Sequence, residues 1–313
     1  MSTAVYTHSE CLSHVTPPGH PEQVARLVAV AEALDTPGFA ALERRSAPLG
    51  EIADILRCHP QGYVDRVRAA IPEEGAGVVS LDADTHVMSG SWNAALRGVG
   101  GVCAAVDAVL AGEVGNAFVA CRPPGHHAET ETAMGFCLFG NIAIGAKRAL
   151  DHHGLSRVAV VDFDVHHGNG TQDLLWDEAR AFFISSHQMP LYPGSGARHE
   201  TGAHGNVFNL PFPPDTAGPA FRRQYEAEVF PALENFRPEL ILVSAGFDAH
   251  RADPLAQMAL VEEDFAWVTG RLCEIAAEFC DGRVVSTLEG GYDLPALGAS
   301  TAAHVKTLME HAQ

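Results

Sequence analysis

The sequence predicts a single α/β domain built on a parallel sheet, and three features carry that reading. Four short runs of β-branched and apolar residues have the length of fully buried strands. Helix-like segments lie between them. Each run ends abruptly in a polar or glycine-rich loop. Strands that alternate with helices make βαβ units, and these assemble into parallel sheets flanked by helices. With 313 residues, 47% hydrophobic and only 19% charged, the chain can build one large core and is not of disordered composition. No linker, repeat or low-complexity tract divides it, so one domain over residues 1–313 is expected.

Along the chain, an alanine-rich helix is predicted over 91–110, stopping at Gly112. A strand over 117–121 runs into Arg122-Pro123-Pro124-Gly125-His126-His127. A helix over 141–153 stops at Gly154. A strand over 157–161 runs into Asp162-Phe163-Asp164-Val165-His166-His167-Gly168. A helix over 220–236 ends before Pro238, which disfavours helix at the residue ahead of it. A strand over 240–245 runs into Gly246-Phe247-Asp248, and a helix over 261–280 ends near Gly282. The last strand, over 284–288, runs into Glu289-Gly290-Gly291-Tyr292. Ligands of such sheets bind outside the carboxyl ends of the strands. The unusual polar residues stand there four times over, which locates a functional site.

The formal net charge is −19, and no basic run is visible beyond short pairs, of which Arg44-Arg45 and Arg222-Arg223 stand out. That argues against a direct nucleic-acid partner. The acidity serves solubility or, alternatively, draws a cationic substrate. Seven cysteines, an odd number with no Cys-x-x-Cys pair, fit reduced thiols in the cytoplasm better than a disulfide framework. No basic segment followed by an apolar core opens the chain, so no signal peptide is expected. No apolar stretch is expected to approach the ~20 residues that span a bilayer. The sequence neither fixes nor excludes a homo-oligomer.

Asp164 and His166 stand two apart after one strand, so in an extended segment both side chains point the same way. Asp248 ends another strand and completes a three-ligand set. Two carboxylates and one imidazole suit zinc with positions left open for water and substrate. Iron(II) or cobalt(II) fit the same donors. The plainer alternative is that Asp164 and His166 only cap a following helix. His126 and His127 alone are compatible with a loop coincidence. Beside a metal, one of them can take a proton from water and later give it to a leaving amine. Tyr292 follows Gly290 and Gly291, which allow a tight turn and close backbone approach. Its hydroxyl can donate to a developing oxyanion; the alternative is an ordinary core or surface tyrosine.

Together these motifs resemble the histone deacetylase and acetylpolyamine amidohydrolase family. The stretch from Asp162 through Asn169-Gly170-Thr171-Gln172 resembles the signature of its class II members. Arg122 to Ala128, Gly135-Phe136-Cys137, Gly246-Phe247-Asp248 with Asp253-Pro254, and Glu289 to Tyr292 match further family motifs in order and spacing, over roughly residues 15 to 309. The resemblance implies the arginase/deacetylase-like fold, an eight-stranded parallel sheet between helices. It implies a zinc-dependent deacetylase with Asp164, His166 and Asp248 as ligands. It gives His127 the role of general base and acid and His126 that of electrostatic partner. Asp162 and Asn169 are then the partners of His126 and His127. Asn169 stands where class I relatives carry Asp, and a neutral partner should leave His127 less basic. Tyr292 favours a competent enzyme, since relatives with His there are poor deacetylases. A potassium ion is implied near the zinc, held by Asp162, Asp164, His166, Ser185 and Ser186 largely through backbone oxygens.

For the substrate, the resemblance implies a channel with Phe136, beside Gly135, as one wall and Tyr192 as the opposite wall. Leu255 would sit at the mouth, Gly290 and Gly291 would border the substrate, and Asp84 would bind its backbone. Arg26 resembles an arginine near a cavity for acetate release, with a first-helix salt bridge as its alternative. Cys137 reads as a buried cysteine, with a redox-sensitive thiol as the alternative.

Two rival functions have weaker support in the sequence. A binuclear arginase-like hydrolase would need further bridging carboxylates, but the chain after Asp248 reads Ala249-His250. A non-catalytic acyl-lysine binder would not need His126, His127 and Tyr292 together. Within the family, Leu255 stands where eukaryotic polyamine enzymes carry glutamate, and residues 65–82 leave no room for a large insertion. Both favour an acetyl-lysine peptide or broad acylamine substrate over an acetylpolyamine.

Overall fold

The computed structural model describes residues 1–312. The chain opens with strand β1 (Thr3–Thr7), helix α1 (Ala25–Leu34) and strand β2 (Glu43–Ser46). Helices α2 (Ile52–Ile55) and α3 (Gln61–Ala70) lead to a small antiparallel hairpin of β3 (Val79–Ser80) and β4 (His86–Val87). Then come α4 (Ser91–Leu110), β5 (Asn116–Val119), α5 (Asn141–Asp151), β6 (Val158–Asp162), α6 (Asn169–Leu175), β7 (Ala181–Gln188) and β8 (Val207–Phe212). Helices α7 (Gly218–Gln224) and α8 (Phe230–Phe236) are joined by a π-helical turn, Tyr225–Val229. The chain closes with β9 (Leu240–Ala245), α9 (Glu262–Phe279), β10 (Val284–Leu288) and α10 (Leu294–Glu310).

Eight of the strands form one parallel sheet in the order β2-β1-β5-β10-β9-β6-β7-β8. The four strands expected from sequence are its four central members, β5, β10, β9 and β6. Every residue in them is buried, which is why they read as unbroken apolar runs. Strands β9 and β10 have the expected bounds. Strand β5 begins one residue earlier and ends at Val119, and β6 is shifted one residue towards the site. Helices α4 and α5 pack together on the sheet, and α1, α9 and α10 form a second packed layer.

Helix α4 corrects one expectation. It is 20 residues long and apolar enough, by length and composition, to cross a membrane. Here that apolarity serves the core: 72% of its most apolar stretch is buried. Gly100 lies so close to the backbone of Pro48 and Gly50 that no Cβ would fit.

Between α9, α10 and β10, the fully buried His304 sits with Nδ1 2.7 Å from the Thr269 hydroxyl and Nε2 2.7 Å from that of Ser286. Burial pushes its pKa down to about 3. The unfolded chain therefore holds a proton there that the folded chain refuses. Its contribution to stability is complete above the unfolded value and is lost as pH falls towards the folded one, at about 1.4 kcal/mol per unit. The gap in Tm between the protein and its His304→Gln variant is thus expected to be widest above pH ~6.5 and to narrow on acidification. Melting curves over that range check this, and a gap that widens in acid contradicts it.

Candidate active site

The four central strands deliver their polar loops to one place. From the end of β6, Asp164 and His166 meet Asp248 from the end of β9, and one ligand atom from each lies within 4.8 Å of the others. Nδ1 of His166 is 3.2 Å from Oδ1 of Asp164 and 3.1 Å from Oδ2 of Asp248. The carboxylates are pinned by backbone donors. Asp164 accepts from the amides of His166 (2.9 Å) and Gly290 (2.8 Å), and Asp248 accepts from Val165 (2.9 Å). Glycine at 246 and 290 makes room for them. A Cβ at Gly246 would fall on the Asp164 carboxylate, and one at Gly290 on that of Asp248.

This cluster fits a divalent cation. Asp162, Asp164, Asp248 and Glu289 are all fully buried and close together. One imidazole proton on His166 cannot satisfy both flanking carboxylates. Buried charge without a partner is costly, and a cation between one nitrogen and two oxygens supplies the missing partner. Among the described residues this is the one cluster of three such ligands within reach of each other. His250, where a binuclear site would need another carboxylate, is turned away and accepts the Ala252 amide at 3.1 Å.

The two histidines have opposite surroundings. Nδ1 of His126 is 3.0 Å from Oδ2 of Asp162, and its Nε2 is 3.8 Å from Oδ2 of Asp164. Burial opposes its charge, but Asp164, Asp162 and Glu289 together hold it well above the usual histidine range. Asp162 itself is raised to about 7, chiefly by burial. Nδ1 of His127 is 2.7 Å from Oδ1 of Asn169. Burial, reinforced by positive charge on His126 and His166, pushes His127 well below the usual range. One imidazole therefore favours the charged form and its neighbour the neutral form, with ring centroids 4.0 Å apart.

A cavity of about 240 Å3 leads down to His127 and His166. Phe136, Gly135, Tyr192 and Leu191 line it, with Tyr292, Asp84 and Leu255. Phe136 is in the left-handed region (φ 69°), unusual for an aromatic residue, and follows Gly135 (φ 55°), where a Cβ would strike the His127 ring. Such a conformation costs about 1–3 kcal/mol. Its amide donates to Thr85 Oγ1 at 3.0 Å, and Thr85 Oγ1 in turn reaches Asp84 at 3.1 Å. Tyr292 packs edge-on to Phe136 at 5.8 Å. Among the described residues the Tyr292 hydroxyl has no hydrogen-bond partner.

Gly290 and Gly291, expected beside the substrate, do not line this cavity. Gly290 backs the ligand carboxylates, and the Gly291 carbonyl accepts from Arg26 at 2.6 Å. Arg26 is fully buried, grips the Glu289 carbonyl and Glu22, and lies over the Tyr292 ring at 4.9 Å. It is thus a buried clamp with a salt bridge to Glu22. Glu22 also accepts from the buried Arg122. Ser185 and Ser186 lie on β7 beside β6; their hydroxyls face His187 Nδ1 (3.0 Å) and the Tyr225 hydroxyl (2.6 Å). Ser186 Oγ also lies 3.4 Å from the Asp162 carbonyl. Cys137 is fully buried, its thiol 3.2 Å from the Gly135 carbonyl.

Sequence reasoning gave no role to three residues that build the site. Glu289 accepts the amides of Gly125 (2.7 Å) and His126 (3.1 Å) and the Ser244 hydroxyl (3.2 Å), tying β5, β9 and β10 together. Asp253 accepts the amides of Tyr292 (2.7 Å) and Leu255 (3.0 Å), setting one against the other across the mouth. Glu129 accepts from Asn169 at 2.7 Å. The first two sit inside quoted motifs, which was the available signal; Glu129 directly follows the His126-His127-Ala128 run.

Comparison with known proteins gives this arrangement a lineage. Residues 20–308 match the family described as the histone deacetylase domain. The chain is 44% identical to an uncharacterized protein of Synechocystis sp., over 98% of this chain and 99% of that one. It is 42% identical to the histone deacetylase-like amidohydrolase of Pseudomonas aeruginosa, over 89% of this chain and 74% of that one. Its structure is similar to the HDA15 HD domain, with a TM-score of 0.93 at 32% identity, covering 99% of this chain and 88% of that chain. A single α/β domain whose eight-stranded parallel sheet gathers an Asp-His-Asp cluster beneath a narrow cavity, the chain belongs to the histone deacetylase family of amidohydrolases.

Proposed function

We propose that the protein is a zinc-dependent deacylase that removes acetyl groups from lysine side chains or related alkylamines. One observation carries the reading: the Asp164, His166 and Asp248 donors converge at the base of a cavity that also presents His127 and Tyr292. A zinc ion held by these residues would acidify a water and polarise the acetyl carbonyl; iron(II) or cobalt(II) would do the same. His127, favoured neutral, takes the water's proton at Nε2 and returns it to the departing amine. His126, favoured charged, steadies the negative charge that builds beside it. The Tyr292 hydroxyl donates to the oxyanion. Phe136 and Tyr192 hold the methylene stem by apolar contact, and Asp84 takes a donor from the substrate backbone at the rim.

A potassium ion near the zinc, which oxygens of Asp162, Asp164, His166, Ser185 and Ser186 would hold, would offset the remaining buried charge. The approach of Ser186 Oγ to the Asp162 carbonyl is consistent with oxygens gathering there. A cytoplasmic setting suits the seven unpaired thiols.

The mouth favours a peptide. Leu255, fixed by Asp253, offers an apolar edge, and among the described residues the one acidic side chain lining the cavity, Asp84, is the group that takes the peptide backbone. An acetyl-lysine peptide is therefore expected to show the highest kcat/KM when compared with acetylspermidine and acetylputrescine. A preference of about a hundredfold for acetylputrescine, equivalent to nearly 3 kcal/mol of transition-state discrimination, would overturn the peptide assignment and install the polyamine reading. Zinc-loaded protein that turns over no acylamine would favour a binder.

A further inference from the structure

We propose that Glu129 is a positioning residue that fixes the tautomer of His127 by acting through Asn169. The proposal rests on the reading of His127 as the proton acceptor. An asparagine amide has two ends of nearly equal shape, one a donor and the other an acceptor. Facing His127 Nδ1 with its oxygen, Asn169 requires a proton on Nδ1 and leaves the lone pair on Nε2. Reversed, its NH2 group would require the lone pair on Nδ1 and place the proton on Nε2, where no base is then available. The bond to His127 alone cannot choose, because the ring can change tautomer with the amide.

Glu129 makes the choice. Its carboxylate only accepts, and Oε1 lies 2.7 Å from Asn169 Nδ2. The NH2 end is therefore held towards Glu129 and the oxygen towards His127, 2.7 Å away. Asn169 is almost fully buried, so a reversed amide would set its oxygen directly against the Glu129 carboxylate, two acceptors facing each other. Glu129 is only partly buried, but it is not a loose surface side chain. Its backbone pairs with Thr132 in both directions, at 3.0 and 3.4 Å. The next residue, Thr130, gives its amide and hydroxyl to Asp173, at 2.8 and 2.6 Å. Asp173 and Asn169 share helix α6, so the turn carrying Glu129 is bolted to the helix carrying Asn169. A residue with an aspartate in place of Asn169 would need no such director, since a carboxylate has no wrong way round.

The test is a double-mutant comparison with ring-nitrogen NMR of His127 in the zinc-loaded protein. Glu129→Ala is expected to lower kcat by about tenfold, the low end of what loss of a hydrogen-bond partner behind a metal-site histidine costs, with KM little changed. NMR should show His127 moving from one tautomer to a mixture. Glu129→Gln, whose amide can present either end to Asn169, should keep the packing of the turn but lose the choice, giving a mixture of tautomers and a kcat near that of Glu129→Ala. In an Asn169→Asp background, Glu129→Ala should cost nothing or raise kcat, because it removes a carboxylate facing a carboxylate. An equal loss in both backgrounds, an unchanged tautomer in Glu129→Ala, or a Glu129→Gln variant that keeps the single tautomer and the parental kcat would overturn the proposal in favour of simple docking of the turn. If no acylamine is turned over by the parent protein, the functional reading fails, while the NMR still decides the role of Glu129.

Discussion

Replacing Tyr292 by Phe is expected to lower kcat about 10²- to 10³-fold, the cost of one oxyanion donor, while KM and Tm stay near their starting values. The packing explains the separation. The ring of Tyr292 sits against Phe136 and beneath Arg26, contacts that phenylalanine keeps. Its backbone is held by Asp253, which the substitution does not touch. Only the hydroxyl is lost, and it has no partner among the described residues. Its donor is therefore available to charge that appears during the reaction, and interactions made only in the transition state affect kcat rather than KM. Steady-state kinetics on an acetyl-lysine peptide check this. A raised KM with unchanged kcat would assign the hydroxyl to ground-state binding.

The second large effect is at the metal ligands. Asp248→Asn is expected to abolish turnover together with zinc retention, and yet to raise the Tm of the metal-free protein. Burial, and then the charge of Asp164, push the Asp248 carboxyl above its usual range. A carboxyl whose folded pKa is raised stabilises the fold only while protonated, and costs stability once pH exceeds its unfolded value. At neutral pH without metal, Asp248 is thus a burden. Asparagine removes the charge and keeps an oxygen for the Val165 amide. With metal the order reverses, because ligand binding stabilises only the chain that binds it. Melting curves with and without zinc measure both signs; a metal-free variant that melts below the metal-free parent contradicts the argument.

The sequence made the centre of the fold visible and left the edges dark, for a physical reason. Strands β5, β6, β9 and β10 are buried on both faces and carry continuous apolar runs. Strand β2 reads Glu-Arg-Arg-Ser at the sheet margin, and β7 turns polar at Ser185-Ser186-His187-Gln188, so neither has that signal. The same contrast holds in the site. Asp164, His166 and Asp248 were legible because each ends a central strand, where chemistry collects. Glu129, Glu289 and Asp253 were not, because their meaning lies in a partner 40, 164 and 39 residues away respectively. Gly290 and Gly291 were noticed for their flexibility, but Gly290 is required for the room that the two ligand carboxylates occupy. His127 is held weakly basic chiefly by burial and by the two neighbouring imidazoles, while its hydrogen bond to Asn169 pulls the other way.

Hydrolysis of an acylamine at a single metal held by Asp164, His166 and Asp248 is the proposed chemistry. The direct measurement is acetate released from an acetyl-lysine peptide as zinc is titrated into metal-stripped protein. A single-metal site gives no acetate without metal, a linear rise in rate, and a plateau at one zinc per chain. Acetate release that is indifferent to metal, a plateau at two equivalents, or no acetate at any zinc level would contradict it.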